Sequence, residues 1–401
     1  MLLKIKQTLI IFGSLLLMVS TAYAQTQPVI FVGNNWEGMI DVIDAKTYAK
    51  LGRINGIPDK EERMDEVLYH PFKHIMFKAI RHLVGEGNDQ YVDDMYSSND
   101  GKLLIVSRPS FADVVAIDIA SGNIAWRFKV EGFRSDHMAI SPDGKHVAVS
   151  ASTAELVHII DVQSGTEVGR FPSGNSPHEN VYSKDGSKIF HASIGYVFTP
   201  FDNPFFDATK GDRVVQVVDA NTFEILKKFD MADKLAEAGF EDISPAVRPM
   251  AHTPDERFFY FQLSFLHGFV EYDMENDRIT RMAELPNLIP DVPVSDYIND
   301  SAHHGIAMNG AGTKLCVAGT MDDYVALVDR ETFKHNILTG LGKKPYWVTS
   351  DKSGTHCYIS WSETDQMSVI SYEDEKEIAR VDVGRHPQRI REGSVPAGWK
   401  N

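Results

Sequence analysis

One short phrase recurs seven times along this chain: two or three β-branched or aromatic residues, an Asp, then a turn. It reads Val42-Ile43-Asp44, Ala116-Ile117-Asp118, Ile159-Ile160-Asp161, Val217-Val218-Asp219, Glu271-Tyr272-Asp273, Leu327-Val328-Asp329 and, with Ser in place of Asp, Val369-Ile370-Ser371. An apolar strand ending in Asp and a polar turn is a hairpin signature, because the carboxylate accepts hydrogen bonds from the turn's own amides. These aspartates read as structural. A second phrase precedes the first, a Ser-Pro-Asp-Gly-like turn between alternating strands, as in Ser98-Asn99-Asp100-Gly101, Ser141-Pro142-Asp143-Gly144 and Ser183-Lys184-Asp185-Gly186. Each unit is then four short strands in about 42 residues, the size of one propeller blade. The expected fold is all-β, a seven-bladed β-propeller. Residues 29–32 and 39–43 are outer strands and 384–388 begin an innermost one, so N- and C-terminal strands share one blade and leave no free edge.

A chain of 401 residues would ordinarily divide into two or three domains. A repeat removes that need, since each blade buries its faces against its neighbours. Units such as residues 136–150 with 156–165, and 174–192, resemble the YVTN-type β-propeller repeat family, over most of residues 28–390. The resemblance implies the fold. At the level of architecture it extends to exported proteins of unknown role, lactone hydrolases and metal-bearing reductase domains, and fold alone does not choose among them.

The first residues read as a secretory signal peptide. Lys4 and Lys6 precede an apolar run over 8–20, and Ala22-Tyr23-Ala24 has the small-x-small form of a cleavage site. Cleavage after Ala24 leaves one propeller domain over 25–401, periplasmic or secreted; an uncleaved anchor is the alternative. The run is too short to cross a bilayer of about 30 Å, so no membrane span is expected in the mature protein. A net charge of −16 opposes nucleic-acid binding. Two cysteines exclude a disulfide-stapled scaffold. Cys316 and Cys357 lie on comparable strands of neighbouring units but one residue out of phase, so their side chains should point to opposite faces as two buried thiols.

The seven marker residues are spaced 74, 43, 58, 54, 56 and 42 apart, so extra chain is inserted in four places. The insertion over 56–91 has helical spacing in Leu68, Phe72, Met76, Ile80 and Leu83. Its His70 and His74 either offer a metal one helical face or are solvated on a helix that caps the propeller. The insertion over 195–211 is rich in Phe and Pro, including Phe198, Pro200, Phe201 and Phe205; 231–247 reads as a short helix, and a fourth runs over 285–300. Such loops roof a binding funnel or dock a protein partner.

Aligning the units on their turns puts one residue per blade at the mouth of the central channel: Asp93, Asp136, His178, Arg248, His304, Tyr346 and Gln388. A register error of one residue keeps His137, Glu179 and His303 as candidates. Two residues further on stand Met95, Met138, Asn180, Met250, Ile306, Val348 and Ile390, a mostly apolar plug beneath a polar crown. His252 and His267 read as packing residues. The crown either lines a wet channel, its residues hydrogen-bonded to water without chemistry, or has one of three functions. It binds a small polar or anionic molecule, with Arg248 as a fork for carboxylate or phosphate. It holds a divalent transition metal (Cu, Zn, Fe or Ni) on His178, His304, Asp136 and His303. Or it works without metal, His178 or His304 taking a proton, Tyr346 returning one and Arg248 neutralising a carboxylate or enolate, as in lyases, isomerases or lactonases. The rival class is a non-catalytic scaffold docking a protein or cell-surface glycan. No nucleophile elbow or phosphate loop is present.

Overall fold

The computed structural model describes residues 25–196 and 204–401, whose strands pair as seven four-stranded antiparallel sheets. Blades are numbered here by their Asp-turn phrase, blade 1 carrying Asp44 and blade 7 Ser371. The innermost strands are Asp94–Ser97 in blade 2, Ser135–Ile140 in blade 3, Pro177–Tyr182 in blade 4, Val247–His252 in blade 5, Ile306–Met308 in blade 6 and Pro345–Ser350 in blade 7. Each touches its counterpart in the next blade, which makes a ring. Blade 1 takes its innermost strand, Pro387–Pro396, from the other end of the chain; it pairs with Thr26–Asn34, setting Thr26 opposite Pro396 and Val32 opposite Ile390. The ring is closed as the sequence led us to expect.

Burial explains why the strands read as they do. The second and third strands of a blade are covered on both faces by neighbouring blades, so Leu104, Ile105 and Val106, then Val114 to Ile117, are all fully buried. Each Val, Leu or Ile among them contributes roughly 1.5–3 kcal/mol. Outermost strands are wet on one side, and Lys376–Asp382 alternates accordingly. The marker aspartates hold their turns: Asp44 Oδ1 accepts from the amides of Lys46 and Thr47 at 3.0 and 2.8 Å, and Asp161 Oδ1 from Gln163 and Ser164 at 3.1 and 2.8 Å. In the second phrase, Ser141 Oγ donates to Asp143 Oδ1 and accepts from the His146 amide, while Gly144 takes φ +71°.

The cysteines overturn the expectation of two thiols. Cys316 and Cys357 form a disulfide between blades 6 and 7, with Cα atoms 6.6 Å apart. Opposite faces were the correct reading, but adjacent blades pack face to face. A side chain leaving blade 6 on one face therefore meets one leaving blade 7 on the other. Cys316 packs with Ala318, Val348 and Ile359 in that interface, whereas its neighbour Val317 packs with Tyr260 and Phe269 of blade 5.

The first insertion forms two helices, α1 (Lys60–Leu68) and α2 (Pro71–Leu83). His70 caps α2, its Nδ1 accepting from the Lys73 amide at 3.4 Å, and Pro71 takes the first helical position, where its missing N–H costs nothing. A third helix, α3 (Met231–Glu237), is capped by Asp230, whose carboxylate accepts from the Ala232 amide. The fourth insertion carries two 3-10 turns, Val294–Asp296 and Ile298–Asp300. The segment expected to be a signal peptide and Phe198, Pro200 and Phe201 lie outside the described residues. Among the described residues, no helix is long and apolar enough to cross a membrane.

Candidate functional site at the funnel mouth

The entry to the innermost strands is irregular. Pairing slips between Ser135 and Met138, Pro177 and Glu179, Val247 and Met250, and Pro345 and Trp347, and again where Pro396-to-Pro387 pairs with the N-terminal strand. A bulge sets two residues against one and turns consecutive side chains toward the same side. The crown is consequently doubled in places: Asp136 with His137, His178 with Glu179, and Gln388 with Arg389 are all buried.

Six of the seven aligned residues (Asp93, Asp136, His178, Arg248, His304 and Tyr346) line one cavity of about 320 Å³, together with His137 and Arg134. Its opposite wall is apolar, made by Met76, Ala79, Ile80, Leu83 and Val84 of the helical insertion. Gln388 is not in that lining; its side-chain oxygen accepts from the Asn35 side-chain amide. A smaller cavity of about 70 Å³ between the helices and blade 2 contains none of the crown residues.

Three imidazoles converge. The ring centres of His137 and His178 are 4.0 Å apart, and His304 stands 6.2 and 6.0 Å from them. His137 Nδ1 and Glu179 Oε2 share a proton across 2.8 Å, and the Arg389 guanidinium lies against His137 Nε2. His137 Nε2 is also 3.5 Å from Asp136 Oδ1. His304 Nδ1 faces the Tyr346 carbonyl at 3.3 Å. His178 Nδ1 is buried without a partner. Burial, reinforced by neighbouring guanidinium groups, holds all three imidazoles well below their ordinary range, so they are uncharged at neutral pH.

The cations are positioned by hydrogen bonds. Arg248 donates to Ser264 Oγ at 2.9 Å and to the Asn299 carbonyl at 2.5 Å. Arg134 pairs with Asp136 Oδ2 at 2.8 Å and reaches Ser152 and Gln90. Arg389 stacks 3.4 Å over Trp347, with its Nε and Nη1 unpartnered. Burial raises the carboxyls of Asp93 and Asp136, and pushes Glu179 up to about 7 and the Tyr346 phenol up to about 12. Tyr346 Oη accepts from Asn299 Nδ2 at 3.3 Å.

Of the residues expected in the metal set, Asp136, His178 and His304 meet here and His303 does not; His137, the register alternative to Asp136, stands beside them. Asp136, His137 and His178 each offer a ligand atom, all within 4.8 Å of one another. His303 turns away from the crown: its Nε2 lies 3.3 Å from Asp322 and 3.1 Å from Tyr324 Oη. Blade 6 has no bulge of the kind that doubles the crown elsewhere; its short innermost strand begins only at Ile306. Arg134, Arg389 and Asn299 were missed. The signal for the two arginines was their position one or two residues from an aligned crown residue; Asn299 sits in an insertion whose path has no periodic signature.

The chain is thus a seven-bladed β-propeller with a polar crown roofed by a helical insertion. It is similar to Kuenenia stuttgartiensis Hydrazine Synthase, with a TM-score of 0.56 and 13% identity, over 77% of this chain and 96% of that one. At that identity the likeness carries the fold alone. No family model and no curated protein matches the chain.

Proposed function

We propose that the funnel mouth binds a small anionic molecule with an apolar body and moves a proton on it. The observation that carries this reading is a single cavity bounded by three uncharged imidazoles and the Arg248 guanidinium on one side and by an apolar helical wall on the other. Its volume is at the lower end of small-molecule sites, which run to roughly 300–1,000 Å³. Arg248 neutralises the anion, an uncharged His178 or His304 takes a proton, and Tyr346, held protonated by burial, returns one. Elimination, isomerisation and lactone opening all use such a set. The resemblance of the repeats to the YVTN type and the disulfide between blades 6 and 7 support export to an oxidising compartment.

A second reading rests on the grouping of Asp136, His137 and His178. Those three, with His304 beside them, suit a Cu, Zn, Fe or Ni ion, and Glu179 on His137 Nδ1 is the orienting carboxylate such histidines usually have. The Arg389 guanidinium would then have to leave His137 Nε2.

Thermal shift of the mature protein against aliphatic and aromatic carboxylates tests the first reading, with elemental analysis of the same preparation for the second. A ligand at a hundred times its Kd should stabilise the protein by about 2.7 kcal/mol, and Arg248→Ala should abolish the shift. If no carboxylate stabilises the protein while changes in the insertions abolish its biological activity, the crown is a wet channel and the molecule a scaffold.

A further inference from the structure

A second set of ligating side chains gathers outside the crown, where the 285–300 insertion meets blades 5 and 6. His267 Nδ1 lies 2.7 Å and His303 Nε2 3.3 Å from the same oxygen, Asp322 Oδ2. Tyr324 Oη stands 3.1 Å from His303 Nε2 and donates its proton to the Pro286 carbonyl at 2.9 Å, so it turns a lone pair toward the imidazole. The side chains of His303 and Asp322 are fully buried, and the His303 ring is held only through Nε2, its Nδ1 having no partner. Two nitrogens, a carboxylate oxygen and a phenol oxygen therefore converge in a dry place. Donors around a tetrahedral ion at about 2.0–2.1 Å stand about 3.3 Å from one another, which is the spacing from His303 to Asp322 and close to that from His303 to Tyr324.

We propose that His267, His303 and Asp322, with Tyr324 as fourth donor, form a structural site for a divalent transition ion that fastens the blade 5 loop carrying His267 to the rim of blade 6 and, through Leu288 and Tyr297, holds the 285–300 insertion against both. The outer partners of such a site are in place. The Leu288 amide donates to Asp322 Oδ1 at 2.7 Å, leaving Oδ2 to face the imidazoles, and His267 Nε2 is fixed by Tyr297 Oη at 2.9 Å. Leu285 ties its amide to the His267 carbonyl at 2.8 Å. The clamp reaches the funnel mouth through the same insertion: Asn299, near its end, accepts from Arg248 and donates to Tyr346. Fixing the insertion fixes the loop that positions both. This site does not depend on what the crown binds.

The test uses the full mature chain, stripped of metal, carrying His178→Ala so that the crown grouping is broken. Added Co²⁺ should bind at one equivalent and give the intense visible bands of four-coordinate cobalt, and Zn²⁺ should displace it. Adding His267→Ala, or Asp322→Asn where the first variant misfolds, should remove that equivalent. In the unmutated protein, Zn²⁺ should slow proteolytic cleavage within 285–300 by about tenfold or more. Absence of cobalt binding in the His178→Ala protein, binding indifferent to His267 and Asp322, or cleavage unchanged by Zn²⁺ would each overturn the proposal. A second equivalent in the unmutated chain that is lost with His178→Ala belongs to the crown and leaves the rim site standing.

Discussion

Protonation at the crown is set residue by residue, and two groups pull stability in opposite directions. Glu179 is buried, which moves its carboxyl from an ordinary 4.5 up to about 7. Between those values an unfolded chain carries an ionised glutamate and the native chain a neutral acid. The native state then binds more protons, and stability falls as pH rises from about 4.5 to about 7 before levelling. The full shift corresponds to about 3 kcal/mol. His137, His178 and His304 act the other way. They stay uncharged in the fold while unfolded imidazoles charge below 6.5, so stability is lost as pH drops beneath that value. The two trends overlap between 4.5 and 6.5, and only a difference measurement separates them. Relative to the wild type, Glu179→Gln should gain about 2–3 kcal/mol between pH 4.5 and pH 7, read from urea midpoints across that range. A gap independent of pH would mean that Glu179 is an ordinary ionised carboxylate.

At the scale of elements, the helical insertion is both the roof of the cavity and a separately fastened piece. Lys344 of blade 7 is buried and donates to Glu86 Oε1 at 2.6 Å, across the mouth from the base of α2. Glu86 itself sits at φ +52° beside Gly87 at φ +83°, a tight reversal that aims the carboxylate back over the ring. Burial lowers the Lys344 pKa and Glu86 opposes that fall, so removing the acid leaves an ammonium that sheds its proton or moves to water. Because Glu86 is partly exposed, Glu86→Gln should cost only about 1–2 kcal/mol of local stability. Cleavage within 56–91 should then accelerate roughly 5–30-fold with the thermal unfolding of the blades unchanged; equal cleavage rates would show that α2 is held by apolar packing alone. This two-part organisation also marks where sequence was readable. Strand, Asp-turn and closing segment were legible because their chemistry is local: Asp161 needs only the amides of Gln163 and Ser164. His178, His304 and Arg248 were legible because the repeat carries their position from blade to blade. His137 was ambiguous, and Arg389 was missed, because a bulge alters which of two neighbours faces the channel. The Cys316–Cys357 bond required knowing which face of one blade meets which face of the next, and the turn of His303 toward Asp322 depended on a loop with no repeat to count against.

For the whole molecule, a ring has no edge only while its last strand stays in place. Pro387–Pro396 is gripped on one side by Thr26–Asn34 and touches the innermost strands of blades 2 and 7. It also brings Arg389 to the crown and Arg391 to Asp94, a bidentate pair at 2.9 and 2.8 Å. Beyond it, Trp399 donates to the Ile119 carbonyl at 3.0 Å, which pins the C-terminal end to blade 2. The disulfide joins blades 6 and 7 and so bridges neither side of this closure. Removing residues 384–401 would uncover an edge on which Val29, Ile30, Phe31 and Val32 are now fully buried, and an open apolar edge pairs with other chains. We expect the truncated protein to be lost from the monomer peak into aggregates or strand-exchanged oligomers, and a synthetic peptide of residues 384–401 to return it to a monomer with a cooperative melt. A truncated chain that stays monomeric and melts within a few degrees of the full one would mean that six blades and a partial seventh hold the ring, and that the shared blade serves the crown through Arg389 instead of the fold.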